Sequence, residues 1–184
     1  MATPSKYLLY SLLTVVLFFN SAIQLNGPNR LFEDEKKNIS LELPSEWKLV
    51  THREAESLQM FITLEAHIFT VGVTVTKKTG MSTIYSVKNE KDIIYLWTNG
   101  LDRAAESYNR YEILESKKFS RGKYTGIIRE VVMQYQTEHN PVHMYQVIMA
   151  KDDELIYITA ISPENVWEEY KPVFDNSLKS LTLK

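Results

Sequence analysis

The sequence predicts an α+β domain in which an antiparallel β-sheet is flanked by helices. In several short runs, apolar residues alternate with polar ones, which is the period of half-buried antiparallel strands. In two other stretches, one central and one C-terminal, apolar residues recur every three to four positions, as in amphipathic helices. We expect both helices to lie on one face of the sheet, as in an α+β domain.

An apolar segment lies ahead of this domain. Lys6 is followed by an apolar run over residues 7–19 and then by the small residues Ser21 and Ala22. This layout is typical of an export signal. Residues 1–25 are predicted to be a cleaved signal peptide or an uncleaved membrane anchor, because the apolar stretch approaches the ~20 residues of a spanning helix. Either outcome puts the domain outside the cytoplasm: secreted, periplasmic or tethered to the outer face of a membrane.

Composition excludes several classes of function. The chain has 21 Lys and Arg against 23 Asp and Glu, so it lacks the positive field that nucleic-acid phosphates require. It has no cysteine, which excludes disulfides, thiolate zinc sites and cysteine nucleophiles.

The expected partner is a membrane protein complex or a membrane surface, with no nucleic acid, and the oligomeric state stays open.

The first elements follow a predicted polar spacer at residues 26–37. Residues 38–184 then form a single domain, long enough to bury one hydrophobic core. A first strand over 39–43 ends at Pro44, and a second short strand runs from Trp47 to Val50.

The middle of the domain changes period. Alternating runs at 58–64 and 69–76 predict two more strands. Apolar residues from Ile93 to Tyr108 then follow helical spacing, and Asn89 is the expected N-cap of that helix.

A meander and a closing helix complete the domain. Strand-like runs separated by turn residues predict hairpins at 111–119, 124–136, 142–150 and 155–161. The closing helix is predicted to begin with Ser162 as its cap and Pro163 as its first residue. One apolar stripe follows along that helix: Val166, Trp167, Tyr170, Val173, Phe174, Leu178 and Leu181.

These features resemble the PsbP, Mog and DcrB superfamily. The resemblance covers residues 32–184 and rests on the opening NISLELPSEW at 38–47, the aromatic central helix, and the closing Trp167, Tyr170 and Phe174 with SLKSL at 177–181. It implies an αβα arrangement around an antiparallel sheet and a non-enzymatic role. Members include extrinsic photosystem II subunits, assembly factors, a Ran-binding nuclear protein and periplasmic lipoproteins.

The resemblance carries over no functional residue. The export signal disfavours the nuclear branch, and the absence of cysteine departs from the lipoprotein branch. The N-terminal extension through which plant-type members hold ions has no match in this chain.

No catalytic set emerges from the motifs. The chain has neither a Gly-x-Ser-x-Gly elbow nor a glycine-rich phosphate loop. His139 and His143 are separated by a proline turn, and the acidic trio 152–154 does not follow the spacing of a calcium loop. We therefore expect no catalytic residue, metal or cofactor, and a protein that acts by binding.

Four basic residues surround one predicted hairpin turn and form a candidate face for an anionic partner: Lys117, Lys118, Arg121 and Lys123. The alternative is that these charges keep the turn and the sheet edge soluble. Separately, Asn38 begins a sequon for N-glycosylation.

The three tryptophans, Trp47, Trp97 and Trp167, lie on apolar stripes and are expected in the core, with a ligand groove as the alternative.

Two classes of function are consistent with the sequence. The first is an accessory or assembly factor that binds a membrane-associated complex, which an exposed apolar patch would favour. The second is an extracytoplasmic small-molecule or ion-binding protein, which a closed cavity with converging polar groups would favour.

Overall fold

The computed structural model describes residues 28–34, 38–51, 57–62, 71–135 and 140–184. The elements in chain order are β1 Asn29–Asp34, β2 Ile39–Pro44, β3 Lys48–Thr51, β4 Ser57–Ile62, β5 Val71–Lys78, α1 Met81–Tyr85, α2 Glu90–Ala105, β6 Arg110–Arg121, β7 Tyr124–Gln134, β8 Val142–Lys151, β9 Glu154–Pro163, a 3₁₀ turn Glu164–Val166, α3 Trp167–Ser180 and β10 Thr182–Leu183.

The described strands form two antiparallel sheets. The larger has seven strands in the order β3-β4-β5-β9-β8-β7-β6, and the smaller has three in the order β1-β2-β10. Two-residue turns join β6 to β7 and β8 to β9, with Gly122 and Asp152 at positive φ. The predicted α+β class and its meander of hairpins are confirmed.

The two long helices cover opposite faces of the large sheet. Ile128, Val147 and Ile158 lie side by side and join the core beneath α3. Their neighbours one position along each strand, Ile127, Ile148 and Tyr157, pack instead with the residues of α2. This gives the αβα layers that the family resemblance implies. The expectation of helices on one face is wrong, because the inner strands are apolar on both faces.

The larger core lies between α3, the large sheet and the small sheet. Trp167, Tyr170 and Phe174 of α3 are each at most 1% exposed. They pack in one cluster with Leu41 and Leu43 of β2. The apolar stripe predicted for the closing helix therefore faces the core, and α3 holds the small sheet against the large one.

Two predicted boundaries differ from the structure. Asn29–Asp34, within the predicted spacer at 26–37, forms β1 and pairs with β2, because Phe32 enters the core. Ser162 and Pro163 end β9 instead of starting a helix: Ser162 is fully buried opposite His143. The apolar segment at residues 1–25 lies outside the described residues, and no helix among the described residues is long and apolar enough to cross a membrane.

One carboxylate, that of Glu130 on β7, fastens α3 to the sheet. Trp167 Nε1 donates to it at 3.1 Å and Lys171 Nζ at 2.9 Å. His143 Nε2 lies 3.0 Å from the same carboxylate, and the His143 ring stacks on Trp167 with 4.0 Å between centroids. Because the Glu130 side chain is only 11% exposed, loss of its partners would leave a charge with little water to solvate it.

Burial sets the direction of the pKa shift of His143, whereas the neighbouring charges set that of Glu130. Burial lowers the pKa of His143, and the neighbouring Glu130 carboxylate offsets only part of that shift. Burial by itself would raise the pKa of Glu130, but the hydrogen bond and charge of Lys171, followed by His143 and Trp167, hold it below its ordinary value.

Removing either of two core rings is expected to destabilise the domain. Trp47 and Phe174 are 1% and 0% exposed and meet edge to face at 6.2 Å. Trp47→Ala and Phe174→Ala should each lower the free energy of unfolding by about 3–5 kcal/mol, because each leaves a cavity. Chemical denaturation measures this, with Tyr95→Ala as control because that ring is 69% exposed. If the free energy of unfolding falls no more than in the control, neither ring is part of the buried core.

Acidification from pH 7 to 5 is expected to lower the free energy of unfolding through His143. The pKa of His143 in the folded protein lies below 6.5, so the unfolded chain binds the proton more readily. The contribution of neutral His143 to the free energy of unfolding is fully present above about pH 6.5. It declines as the pH falls towards the lowered pKa of the folded protein. His143→Gln cannot titrate and should lose less stability in urea titrations over that range. Equal losses in both proteins would contradict a neutral, buried His143.

Candidate functional site

An open apolar groove lies between α1 and α2. It has a volume of about 290 Å³ and is lined by Tyr85, Leu96, Trp97, Gly100 and Leu101. Tyr85 stands at its border with 44% of its surface exposed. The groove is therefore a concave apolar surface that a partner can reach from solvent.

Helix α2 supplies four of the five lining residues. Asn89 caps the helix, since its side chain accepts a hydrogen bond from the Asp92 backbone N–H at 3.2 Å, as predicted. Residues 96, 97, 100 and 101 then recur on one side of the helix. At Gly100 an added Cβ would meet no atom within 4 Å, so the missing side chain leaves a notch in the helix surface.

Trp97 forms the aromatic wall of the groove. Its ring packs against Tyr157 with 5.5 Å between centroids, and the Lys78 ammonium lies 5.3 Å from the ring centre. Its buried indole N–H has no hydrogen-bond partner among the described residues. Trp47 and Trp167 are core residues as expected, whereas Trp97 is only partly buried and lines the groove.

A second, more polar concavity of about 380 Å³ lies at the start of α2. Two of its three carboxylates bind backbone groups: Asp153 accepts from the Ser82 N–H, and Glu90 accepts from the Asp152 N–H at 3.1 Å. Backbone hydrogen bonds lower the pKa of Glu90. These acids therefore join the loops around α1 and α2. Across the described ranges, no three acidic or histidine side chains come together in a way that could hold a metal ion.

The four basic residues of the predicted anionic-partner face are divided by β6. Successive strand residues point to opposite faces, so Lys117 and Lys118 lie on opposite sides of the sheet. Arg121 donates to the Leu178 carbonyl oxygen at 2.9 Å, and Lys123 is exposed in the following turn. Lys117 and Arg121 share one face, and the structure does not gather all four. Binding of an anionic partner there stays a prediction.

The remaining residues singled out from the sequence are also separated. The acidic side chains at the β8–β9 turn diverge, because Asp153 binds α1 while Glu154 binds Tyr124 and Lys77. His139 lies outside the described residues. Asn38 is exposed immediately before β2, and its glycosylation stays a prediction.

Sequence reasoning does not single out Tyr85, Gly100 or Glu130. A glycine inside an otherwise regular helical pattern is the signal that could have indicated the groove. No local signal distinguishes Glu130, since its partners lie on β8 and α3.

Three solved structures share this fold. The solution structure of cyanobacterial PsbP (CyanoP) from Synechocystis sp. PCC 6803 aligns with a TM-score of 0.58 and 14% identity, over 85% of this chain and 92% of that chain. The Ran-binding protein Mog1p of Saccharomyces cerevisiae aligns with a TM-score of 0.57 and 11% identity, over 85% and 96%. LpqN, involved in cell envelope biogenesis of Mycobacterium tuberculosis, aligns with a TM-score of 0.52 and 11% identity, over 84% and 90%.

At these identities the structural likeness shows the fold alone. No curated protein sequence matches the chain. The family model of PsbP, however, matches residues 29–183, which begin with β1 and end with β10. On that match, and with the same antiparallel sheet between two helical layers, the chain belongs to the PsbP family.

Proposed function

We propose that this protein is an exported, non-catalytic accessory or assembly factor, and that its α1–α2 groove binds apolar side chains of a membrane-associated protein complex. The observation that carries the proposal is the open groove lined by Tyr85, Leu96, Trp97, Gly100 and Leu101. An accessible apolar surface of this kind is typical of protein–protein contacts.

The size and chemistry of the groove favour a protein partner. Its volume of about 290 Å³ lies at the lower limit of the roughly 300–1,000 Å³ typical of small-molecule sites. Small-molecule sites also use a few converging polar groups for orientation, whereas the five lining residues offer chiefly apolar surface. Aromatic residues such as Trp97 and Tyr85 are the side chains that most often anchor interfaces.

Export is supported by the sequence alone. The basic residue and apolar run within residues 1–25 have the layout of a signal peptide or membrane anchor. Either one would bring the domain to a membrane surface, where the proposed complex lies. One structural neighbour supports a binding role, since Mog1p is described as Ran-binding.

The alternative function is an extracytoplasmic small-molecule or ion-binding protein. The polar concavity at the start of α2 is its best location. Two of its three acids, Asp153 and Glu90, already accept backbone hydrogen bonds from Ser82 and Asp152. Among the described residues, no three acidic or histidine side chains converge to hold a metal ion. The groove therefore supports the accessory function better.

Filling the groove is expected to release the protein from its complex. Gly100→Phe places a ring where a Cβ meets no atom within 4 Å, so the fold should persist while the groove is occupied. Gly100→Ala is the matched control: it leaves most of the groove open and should stabilise the helix by about 1 kcal/mol. The measurement is the native size of tagged full-length protein after gentle solubilisation from its own host.

We expect wild type and Gly100→Ala to migrate with a large membrane-associated complex. Gly100→Phe should migrate as a small free species with a melting temperature no lower than that of the wild type. A small free species for wild type itself would overturn the accessory function. Co-migration of Gly100→Phe with the complex would exclude the groove as the binding site while leaving that function standing.

A further inference from the structure

We infer that the outer edge of the large sheet, strand β6, is a self-association surface that pairs antiparallel with β6 of a second copy of this chain. The inference is independent of the α1–α2 groove, which lies on another part of the surface. It rests on three observations: an open edge, exposure on both faces, and a self-complementary order of charges.

Strand β6 has twelve residues and is the longest strand described. Within the described sheet it pairs with β7 alone, so its other side presents unpaired backbone N–H and C=O groups. Helices α2 and α3 pack chiefly on inner strands and leave the middle of β6 uncovered, where every residue from 112 to 118 is exposed. Two of these residues are apolar, Ile113 at 40% and Leu114 at 48%.

The charges along β6 change sign near its middle. Arg110 at the start of the strand is ion-paired with Glu112 and Glu164. Beyond it, Glu112 and Glu115 precede Ser116, whereas Lys117, Lys118 and Arg121 follow it. In an antiparallel pair of identical strands, the acidic half of one copy meets the basic half of the other. A two-fold axis of this kind makes the interface self-complementary. A parallel pair would instead set like charges together, which is unfavourable.

A two-fold axis at Ser116 gives the best match. It sets Glu115 of each copy directly opposite Lys117 of the other, on the same face of the extended sheet. Within one chain these two side chains already form an ion pair of 2.9 Å, although both are more than half exposed. Such an exposed pair contributes little alone. In the dimer, two of them would form a four-charge cluster across the new strand contact.

A β-bulge between Ile113 and Glu115 interrupts the pairing of β6 with β7. Bulges and charges of this kind also serve to prevent edge association. A protective edge needs no particular order of charges, whereas self-pairing requires the order seen here. One strand pair buries less than the roughly 1,200 Å² of a stable interface, so the association is weak and is best trapped chemically.

Cysteine trapping tests the arrangement, because the full-length chain has no cysteine of its own. Ser116→Cys would put the two thiols opposite each other across the two-fold axis, within reach of a disulfide. Ser120→Cys is the matched control, because Ser120 is exposed on the same face of the same strand. In the proposed dimer, position 120 of one chain would lie roughly 27 Å from position 120 of the other. Under mild oxidation of solubilised protein, we expect about tenfold more disulfide-linked dimer for Ser116→Cys than for Ser120→Cys.

Charge exchange provides the second test. In the Ser116→Cys background, Lys117→Glu alone or Glu115→Lys alone puts like charges across the axis and should lower linkage several-fold. A mixture of these two variants should restore a linked heterodimer, because one copy then supplies acids and the other supplies bases. Equal linkage of Ser116→Cys and Ser120→Cys, no linkage of either, or indifference to the charge changes would each overturn the inference and leave β6 as a protected edge.

Discussion

Burial of both faces of the inner strands is the constraint on which the rest of the structure depends. Nine consecutive residues of β8, from Val142 to Ala150, are buried. A strand that is apolar on both faces needs a covering layer on each side. Helix α2 supplies one layer, and α3 with the small sheet supplies the other.

Much of the fold follows from local periodicity. The alternation in β2 and β5, and the helical spacing of α2 and α3, predict those elements because each pattern reports the face that its element buries. Periodicity does not say which face of the sheet a helix covers. It also misses β1, since its burial pattern shows a single buried residue, Phe32, in a polar stretch. The extended end of β9 at Pro163 resembles a helix start because proline suits both positions.

The candidate sites are less predictable, because they depend on neighbours distant in sequence. Trp47 and Trp97 both lie on apolar stripes, yet only Trp47 is fully enclosed. The difference is Gly100 and the position of α1, which leave one side of Trp97 uncovered. Glu130 is similar: its importance arises from Lys171 and His143, and only the complete topology brings the three together. The charge order of β6 is visible in the sequence, but its exposure at a sheet edge is not.

The small sheet also constrains the order in which the domain forms. Ser40 of β2 pairs with Thr182 of β10, and the Glu42 backbone N–H donates to Ser180 across 138 positions of sequence. Contacts between residues so far apart in the sequence slow folding. While the ribosome is still making the second half of the chain, β2 has neither β10 nor α3 to pair with. The core around Leu41 and Leu43 of β2 therefore stays incomplete until the last residues of the domain have been made.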